Sequence, residues 1–298
     1  MRAWGVTDGS AGMVAQVRAL AEALGVALEE KTITVNAPWR WLPNVAFDLG
    51  LANIFPVTNE TYEDPPELII SCGRKGALVS AYSRLTTHDS RLIHIQDPQM
   101  SAKHFDVVVA MEHDKIAASN VIKVPYALHS ITAEKLSEAK ALWEPKFAHI
   151  PRPWNVVLIG GSTNKYHFTR KAMQKLISDV EQISGGMIIT TSRRTGADNI
   201  ALLLAHLGKN KAAYIYTGEG ENPYLGMLAC ADKIYVTNDS VNMMSEALAA
   251  GKPVSILKLW GHANTKPARF AESLPCVMPQ EMMKNLVVSI RQMFPALT

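Results

Sequence analysis

Residues 233–257 read KIYVTNDSVNMMSEALAAGKPVSIL, and the fold is written in how this stretch changes period. Lys233-Ile234-Tyr235-Val236 is a run of β-formers and Thr237-Asn238-Asp239-Ser240 is polar. A helical pattern follows, which Gly251 and Pro253 end before a second β run at 253–257. Strand, polar loop, helix and strand in that order form a βαβ unit, which belongs to a parallel sheet. Asp239 or Ser240 caps the helix, because a short side-chain oxygen there accepts one of the first free backbone N–H groups. Met243, Met244, Ala247 and Leu248 form the apolar stripe, leaving Asn242, Ser245, Glu246 and Ala249 on the other side. Glu246 lies past the third helical position, where a capping box would use it. It is either a solvated surface acid or a ligand group accepting hydrogen bonds from two adjacent ribose hydroxyls. The loop before it, with Ser240 and the free N–H groups suited to a phosphate, favours the second reading.

The same alternation runs the length of the chain. Strand patterns fall at 2–6, 27–33, 67–71, 91–95, 106–110 and 121–124, then at 154–159, 187–191, 213–216, 233–237 and 253–257. Helical periods cover 12–24, 76–85, 132–143, 168–183, 195–207, 224–230, 240–250 and 280–294. At 298 residues and 48% hydrophobic, the chain is too long for one core and rich enough for two. The Pro-marked segment 144–153 continues neither element type and marks the boundary. The expected organisation is a Rossmann-like domain at 1–148, a second at 149–279, and a C-terminal helix at 280–298 packing back on the first.

Charge and cysteine content narrow the function. A formal net charge of +3 with 19% charged residues makes no field that would gather nucleic acid. Cys72, Cys230 and Cys276 are too few and too scattered for a disulfide framework or a zinc site, so no metal is expected and a reducing cytoplasm fits. The N-terminal stretch reaches a turn too soon for a signal peptide, and no window approaches the about eighteen apolar residues of a membrane span.

Nearly every polar cluster follows a strand, where a parallel sheet presents helix N-termini and its ligand crevice. Gly160-Gly161-Ser162-Thr163-Asn164 could let a phosphate approach the backbone, or be an ordinary tight turn. It matches neither a Walker A loop nor G-x-G-x-x-G. Ser192, Arg193 and Arg194 open another helix, and a guanidinium fork suits phosphate as well as surface ion pairs. Asn222 and Tyr224 start a short helix, with the tyrosine either stacking on a base or packing. The first half has its own strand-end set: Gly9, Gly12 and Gln16; Cys72, Gly73 and Arg74; and Gln96 with Asp97. His113 and Asp114 follow a buried-type β run, and with Asp97 they are the general-base candidates. Residues 39–56, with Trp39, Arg40 and Trp41, read as a helix packed over its sheet or as a contact with a membrane interface or a lipid-linked acceptor.

Taken together, Cys72-Gly73-Arg74, His94-Ile95-Gln96-Asp97-Pro98, Glu112-His113-Asp114, Gly160-Gly161-Ser162, Thr191-Ser192-Arg193-Arg194-Thr195, Glu221-Asn222-Pro223-Tyr224, and Asp239-Ser240 through Glu246-Ala247 with Gly251-Lys252-Pro253-Val254 resemble the mitochondrial fission protein family named for a plant elongated-mitochondria protein. The resemblance covers nearly the whole chain. It implies a GT-B-like α/β fold, two facing Rossmann-like domains with parallel sheets and an interdomain cleft, similar to GT-B glycosyltransferases and UDP-N-acetylglucosamine 2-epimerase. It places Ser240 near a donor pyrophosphate and Glu246 on the ribose. In the family the first loop reads Gly-His followed closely by Gln, and in some GT-B enzymes that histidine is a candidate base; here Met13 stands in its place and Gln16 is retained. The expected ligand is a nucleotide-diphosphate sugar, with an unnamed acceptor, no required cofactor, and metal-independent glycosyl transfer or epimerisation as the chemistry. Plant members are implied to be peripheral outer-mitochondrial-membrane proteins that recruit dynamin-related GTPases. A non-catalytic adaptor docking a protein partner or a membrane surface is the reading from another class.

Overall fold

The continuous apolar runs LIISC, VVVAM and WNVVLI become interior strands, as expected when a parallel sheet is covered on both faces. The computed structural model describes residues 1–59, 64–87, 90–163, 166–259, 265–272, 274 and 281–294. Contacts divide the chain into two units: one of Met1–Ser130 with the C-terminal segment from residue 280, the other from Ile131 to residue 279.

The first unit runs β1 (Arg2–Thr7), α1 (Ala11–Leu24), β2 (Ala27–Thr32), α2 (Val45–Asp48), β3 (Leu68–Cys72), α3 (Gly73–Thr87), β4 (Arg91–Ile95), β5 (Val107–Met111) and β6 (Val121–Val124). Its parallel sheet has the order β2-β1-β3-β4-β5-β6. β3 (LIISC) and β5 (VVVAM) are buried throughout, whereas the edge strand β2 (ALEEKT) is mostly open to solvent. Trp4, Ile69, Leu78, Leu92 and Val108 fill the core beside the sheet.

The second unit runs α4 (Ala133–Phe147), β7 (Trp154–Ile159), α5 (Arg170–Val180), β8 (Gly186–Thr191), α6 (Ala197–Leu207), β9 (Ala213–Tyr216), α7 (Tyr224–Cys230), β10 (Lys233–Thr237), α8 (Val241–Ala249), β11 (Val254–Leu257) and α9 (Lys266–Glu272). Its parallel sheet has the order β11-β10-β7-β8-β9, with β7 buried at every position. Met173, Leu176, Ile177 and Val180 of α5 supply one face of the core. Thr169 caps α5 through the N–H of Ala172. α10 (Met282–Met293) packs on α1 and β6 of the first unit.

Two differences from the sequence reading have local causes. α4 continues through Pro145 to Phe147, although a proline removes one backbone donor. The burial of Trp143 and Phe147, whose rings stack at 5.6 Å, favours the last turn. Trp143 lies so close to Gly226 of α7 that any side chain there would strike the indole, and α4 thus belongs with the second unit although 1–148 had placed it with the first. In the region 39–56 only the short α2 and a 3-10 turn at Leu51–Asn53 are helical.

Each sheet has one point where the strand order reverses direction: between β1 and β3 in the first unit, between β10 and β7 in the second. At such a point the flanking loops separate toward opposite faces and leave a crevice.

Candidate functional site

At the reversal in the second unit, the loops after β7 and β10 meet through Asp239. Its carboxylate accepts hydrogen bonds from Gly161 N at 2.9 Å, Thr237 Oγ1 at 2.6 Å and Arg194 Nη2 at 2.9 Å. Thr237 Oγ1 also accepts from Gly160 N at 2.8 Å. The loop after β8 joins through Thr195, whose hydroxyl donates to Gly160 O at 2.6 Å and accepts from Ser192 N at 3.0 Å. Arg194 Nη1 reaches the carbonyls of Gly161 and Ser162 at 3.3 and 3.2 Å, and Ser162 N returns a bond to Arg194 O at 3.0 Å.

This corrects one reason for the two glycines. A side chain at Gly160 would run into the Asp239 carboxylate, and one at Gly161 into the Arg194 backbone. The close approach they permit is that of the protein to itself, and their amides are occupied. Ser162 Oγ accepts from Phe168 N at 3.0 Å, and Thr163 N donates to Tyr166 O at 2.8 Å; Asn164 lies outside the described residues. The groups left facing outward come from the flanks: the half-exposed Arg194, the exposed Arg193, and the opening of α8.

Ser240 caps α8 by accepting from Met243 N at 3.4 Å, so Asp239 is left to its network rather than the cap. Ser245, expected on the polar side, is fully buried and its hydroxyl donates to Val241 O at 2.8 Å. Glu246 is half-buried, and its Oε2 accepts a 2.6 Å hydrogen bond from Tyr224 OH. Burial raises the Glu246 carboxyl above its ordinary value, partly offset by the tyrosine hydroxyl. Burial and then the adjacent carboxylate push Tyr224 well above the phenol range. Asn222 Oδ1 accepts from Tyr224 N at 3.0 Å and sets up the start of α7. Two residues read separately in the sequence are thus one pair, with Glu246 Oε1 bonded to nothing among the described residues.

In the first unit Gln16 is buried, with Nε2 3.4 Å from Gly12 O. Gly9 and Gly73 have φ of +79° and +78°, a region that suits glycine, and a side chain at Gly73 would meet Met13. Cys72 is buried within β3, away from any role as an accessible thiolate. Arg74 does not present its guanidinium as a free ligand group: it donates to Leu42 O at 2.8 Å, Arg40 O at 3.1 Å and Asn44 Oδ1 at 3.4 Å. Gln96, at φ +83°, precedes Asp97, which accepts from Gln99 N at 2.8 Å. His113 Nε2 lies 3.8 Å from Asp114 Oδ1, and Asp114 Oδ2 accepts from Met111 N at 3.2 Å. Asp97 and the His113–Asp114 pair therefore stand at the ends of adjacent strands, β4 and β5.

Asn44, Thr195 and Thr237 were not singled out in the sequence. Thr237 and Thr195 also bond near neighbours, Asp239 and Ser192, but the bonds that tie separate segments together span 30 to 79 residues, and no local pattern marks those. Among the described residues no group of three His, Cys, Asp or Glu side chains could hold a metal ion, and no helix is long and apolar enough to cross a membrane.

The model of the family described as mitochondrial fission ELM1 matches residues 11–279. The mitochondrial fission protein ELM1 of Arabidopsis thaliana is 30% identical over 253 residues, covering 76% of this chain and 58% of that protein. The chain thus spans less than two thirds of that relative's length. Among solved structures, the S. aureus MnaA–UDP co-structure matches with a TM-score of 0.58 at 9% identity, over 100% of this chain and 98% of the other. The UDP-GlcNAc 2-epimerase of Neisseria meningitidis bound to UDP-GlcNAc matches with a TM-score of 0.53 at 14% identity, over 100% and 93%. At these identities the likeness is one of fold: α/β, of GT-B type, with a parallel sheet in each Rossmann-like unit.

Proposed function

Because the chain belongs to the mitochondrial fission ELM1 family, and because Glu246 keeps an oxygen with no partner among the described residues on the helix that starts at a strand-reversal point, we propose that its second unit binds the diphosphate and ribose of a nucleotide sugar. Ser240 and Glu246 are about 9 Å apart along α8 at 1.5 Å per residue. That length suits a phosphate at the helix start and a pentose at the acid. The N-terminal N–H groups and Arg194 with Arg193 offer positive charge to the diphosphate. Glu246 accepts from the ribose hydroxyls through the oxygen that Tyr224 leaves open. Glycosyl transfer without a metal ion is the chemistry this favours. Epimerisation uses the same donor grip, and Asp97 and His113 with Asp114 remain the general-base candidates. The Glu246–Tyr224 pair is the observation that carries the reading.

Calorimetric titration with UDP, GDP and their sugar conjugates tests it. Wild type is expected to bind at least one, and Glu246→Ala to lose about tenfold to a hundredfold in affinity, the worth of hydrogen bonds to a charged group. A panel that binds neither protein removes the reading.

The adaptor alternative has its own observation. Trp41, Val45, Leu49, Ile54 and Phe55 are all exposed within one short segment, whereas Trp39 is enclosed and donates from Nε1 to Phe55 O at 2.8 Å. Apolar surface gathered this way suits a docking face, and the test belongs on Trp41 and Leu49 rather than Trp39. Flotation with vesicles that is the same for wild type and a Trp41→Ser, Leu49→Ser variant argues against a membrane as the partner.

A further inference from the structure

The Asp239 side chain is wholly enclosed, with 0% of its surface exposed. Its donors come from loops after three strands that lie side by side: Thr237 at the end of β10, Gly161 after β7 and Arg194 after β8. Both of its oxygens are engaged inside the protein, so a ligand outside cannot reach them. A bare carboxylate here would also repel a diphosphate; Arg194 neutralises it. The arginine is placed differently. Its side chain stays 40% exposed while Nη2 is fixed by Asp239 and Nη1 by the carbonyls of Gly161 and Ser162. A guanidinium has five N–H donors, so bonds remain for an anion once these are made. Ser240, which opens α8, is the next residue along the chain from Asp239.

We infer that Asp239 is a positioning residue for the diphosphate: it aims the Arg194 guanidinium without touching the ligand. The inference rests on the donor-site reading given above. It separates two acids of one loop-and-helix segment, Asp239 just before the Ser240 cap and Glu246 in the second turn of α8. Glu246 grips the ligand directly, and Asp239 acts only through Arg194. Glycine at 160 follows from the same arrangement, since any side chain there would displace the carboxylate.

The test is a comparison of dissociation constants for UDP and uridine, with GDP and guanosine as a parallel pair, on the full chain. Wild type, Asp239→Asn, Arg194→Gln and the double variant are measured. The nucleoside keeps the ribose but lacks the diphosphate, so the ratio within each pair isolates the diphosphate grip. Asp239→Asn is expected to cut the preference for the diphosphate by about tenfold to a hundredfold, the worth of one or two charge-assisted hydrogen bonds. Nucleoside affinity is expected to stay unchanged. In the Arg194→Gln background the same substitution adds nothing, because the group it acts through is gone. A parallel fall in nucleoside affinity marks a merely structural role and overturns the inference, as do additive losses in the double variant. Should Asp239→Asn fail to fold, Thr237→Val removes one donor and leaves the charge pair. It is expected to give a smaller loss in the same direction, and an unaltered preference overturns the inference. Wild type that prefers the diphosphate while Asp239→Asn keeps that preference sinks this inference alone; wild type silent toward both pairs sinks the donor-site reading with it.

Discussion

In the first unit the side chain that joins separate strand-end segments is a neutral amide; in the second it is a carboxylate. Asn44 is fully buried, and its Nδ2 donates to Arg74 O at 2.9 Å and Pro98 O at 2.7 Å, linking the start of α3 to the loop after β4. Asp239 makes the corresponding link among the loops after β7, β8 and β10. An amide can be enclosed once its hydrogen bonds are made, whereas an enclosed carboxylate also needs a cation. The second unit therefore has to bring an arginine to this carboxylate and hold it there. One other interior group of the first unit is held neutral as well. Buried His94 pairs through Nδ1 with Ser71 Oγ at 2.8 Å, and burial pushes its imidazole down to about 3.

The largest expected effect breaks the comparison by truncating both links. Asp239→Ala leaves Arg194 and the Gly161 amide without their partner and is expected to destabilise the second unit by about 3 kcal/mol, the low end for a broken buried pair because the guanidinium left behind is 40% exposed. Asn44→Ala leaves unpaired polar groups but no charge, at about 1–3 kcal/mol in the first unit. Urea unfolding with hydrogen exchange read separately in each unit measures both, and equal losses would erase the distinction between the two links.

Acid sharpens the comparison with a smaller effect. His94 protonates near 6.5 in the unfolded chain and only at about 3 when folded. Its contribution is present above 6.5 and is lost as pH falls toward 3, by about 1.4 kcal/mol at pH 5.5. Glu246 has the opposite sign, because burial raises its folded value. Its contribution is full below 4.5 and is lost as pH rises through the folded value. Lowering the pH from 7.5 to 5.5 is thus expected to weaken the first unit, an effect that His94→Gln abolishes, while leaving the second unit level or slightly relieved. Matching losses in the two units would contradict this assignment.

Much of the architecture was legible beforehand. The strand runs predicted along the chain match β1 to β11 within a residue or two, because a strand buried in a parallel sheet must be apolar along its whole length and the helices between carry a 3.6 period. The proline at 145 misled at one point, since packing of Trp143 and Phe147 outweighed its local preference. The candidate site residues were read as strand-end clusters, and which of them pair with one another was not legible there. Tyr224 and Glu246, 22 residues apart, looked independent, and Gly160-Gly161 looked like room for a ligand.

By itself the sequence determined the alternation of strands and helices, the loops that carry polar groups, and the helix that Ser240 opens, because each of these is encoded within a few consecutive residues. Only the tertiary structure decided which polar groups pair. Asp239 meets Arg194 across 45 residues because β10 lies beside β7 and β7 beside β8. Strand order in a sheet follows from the packing of the whole unit, and no local period records it.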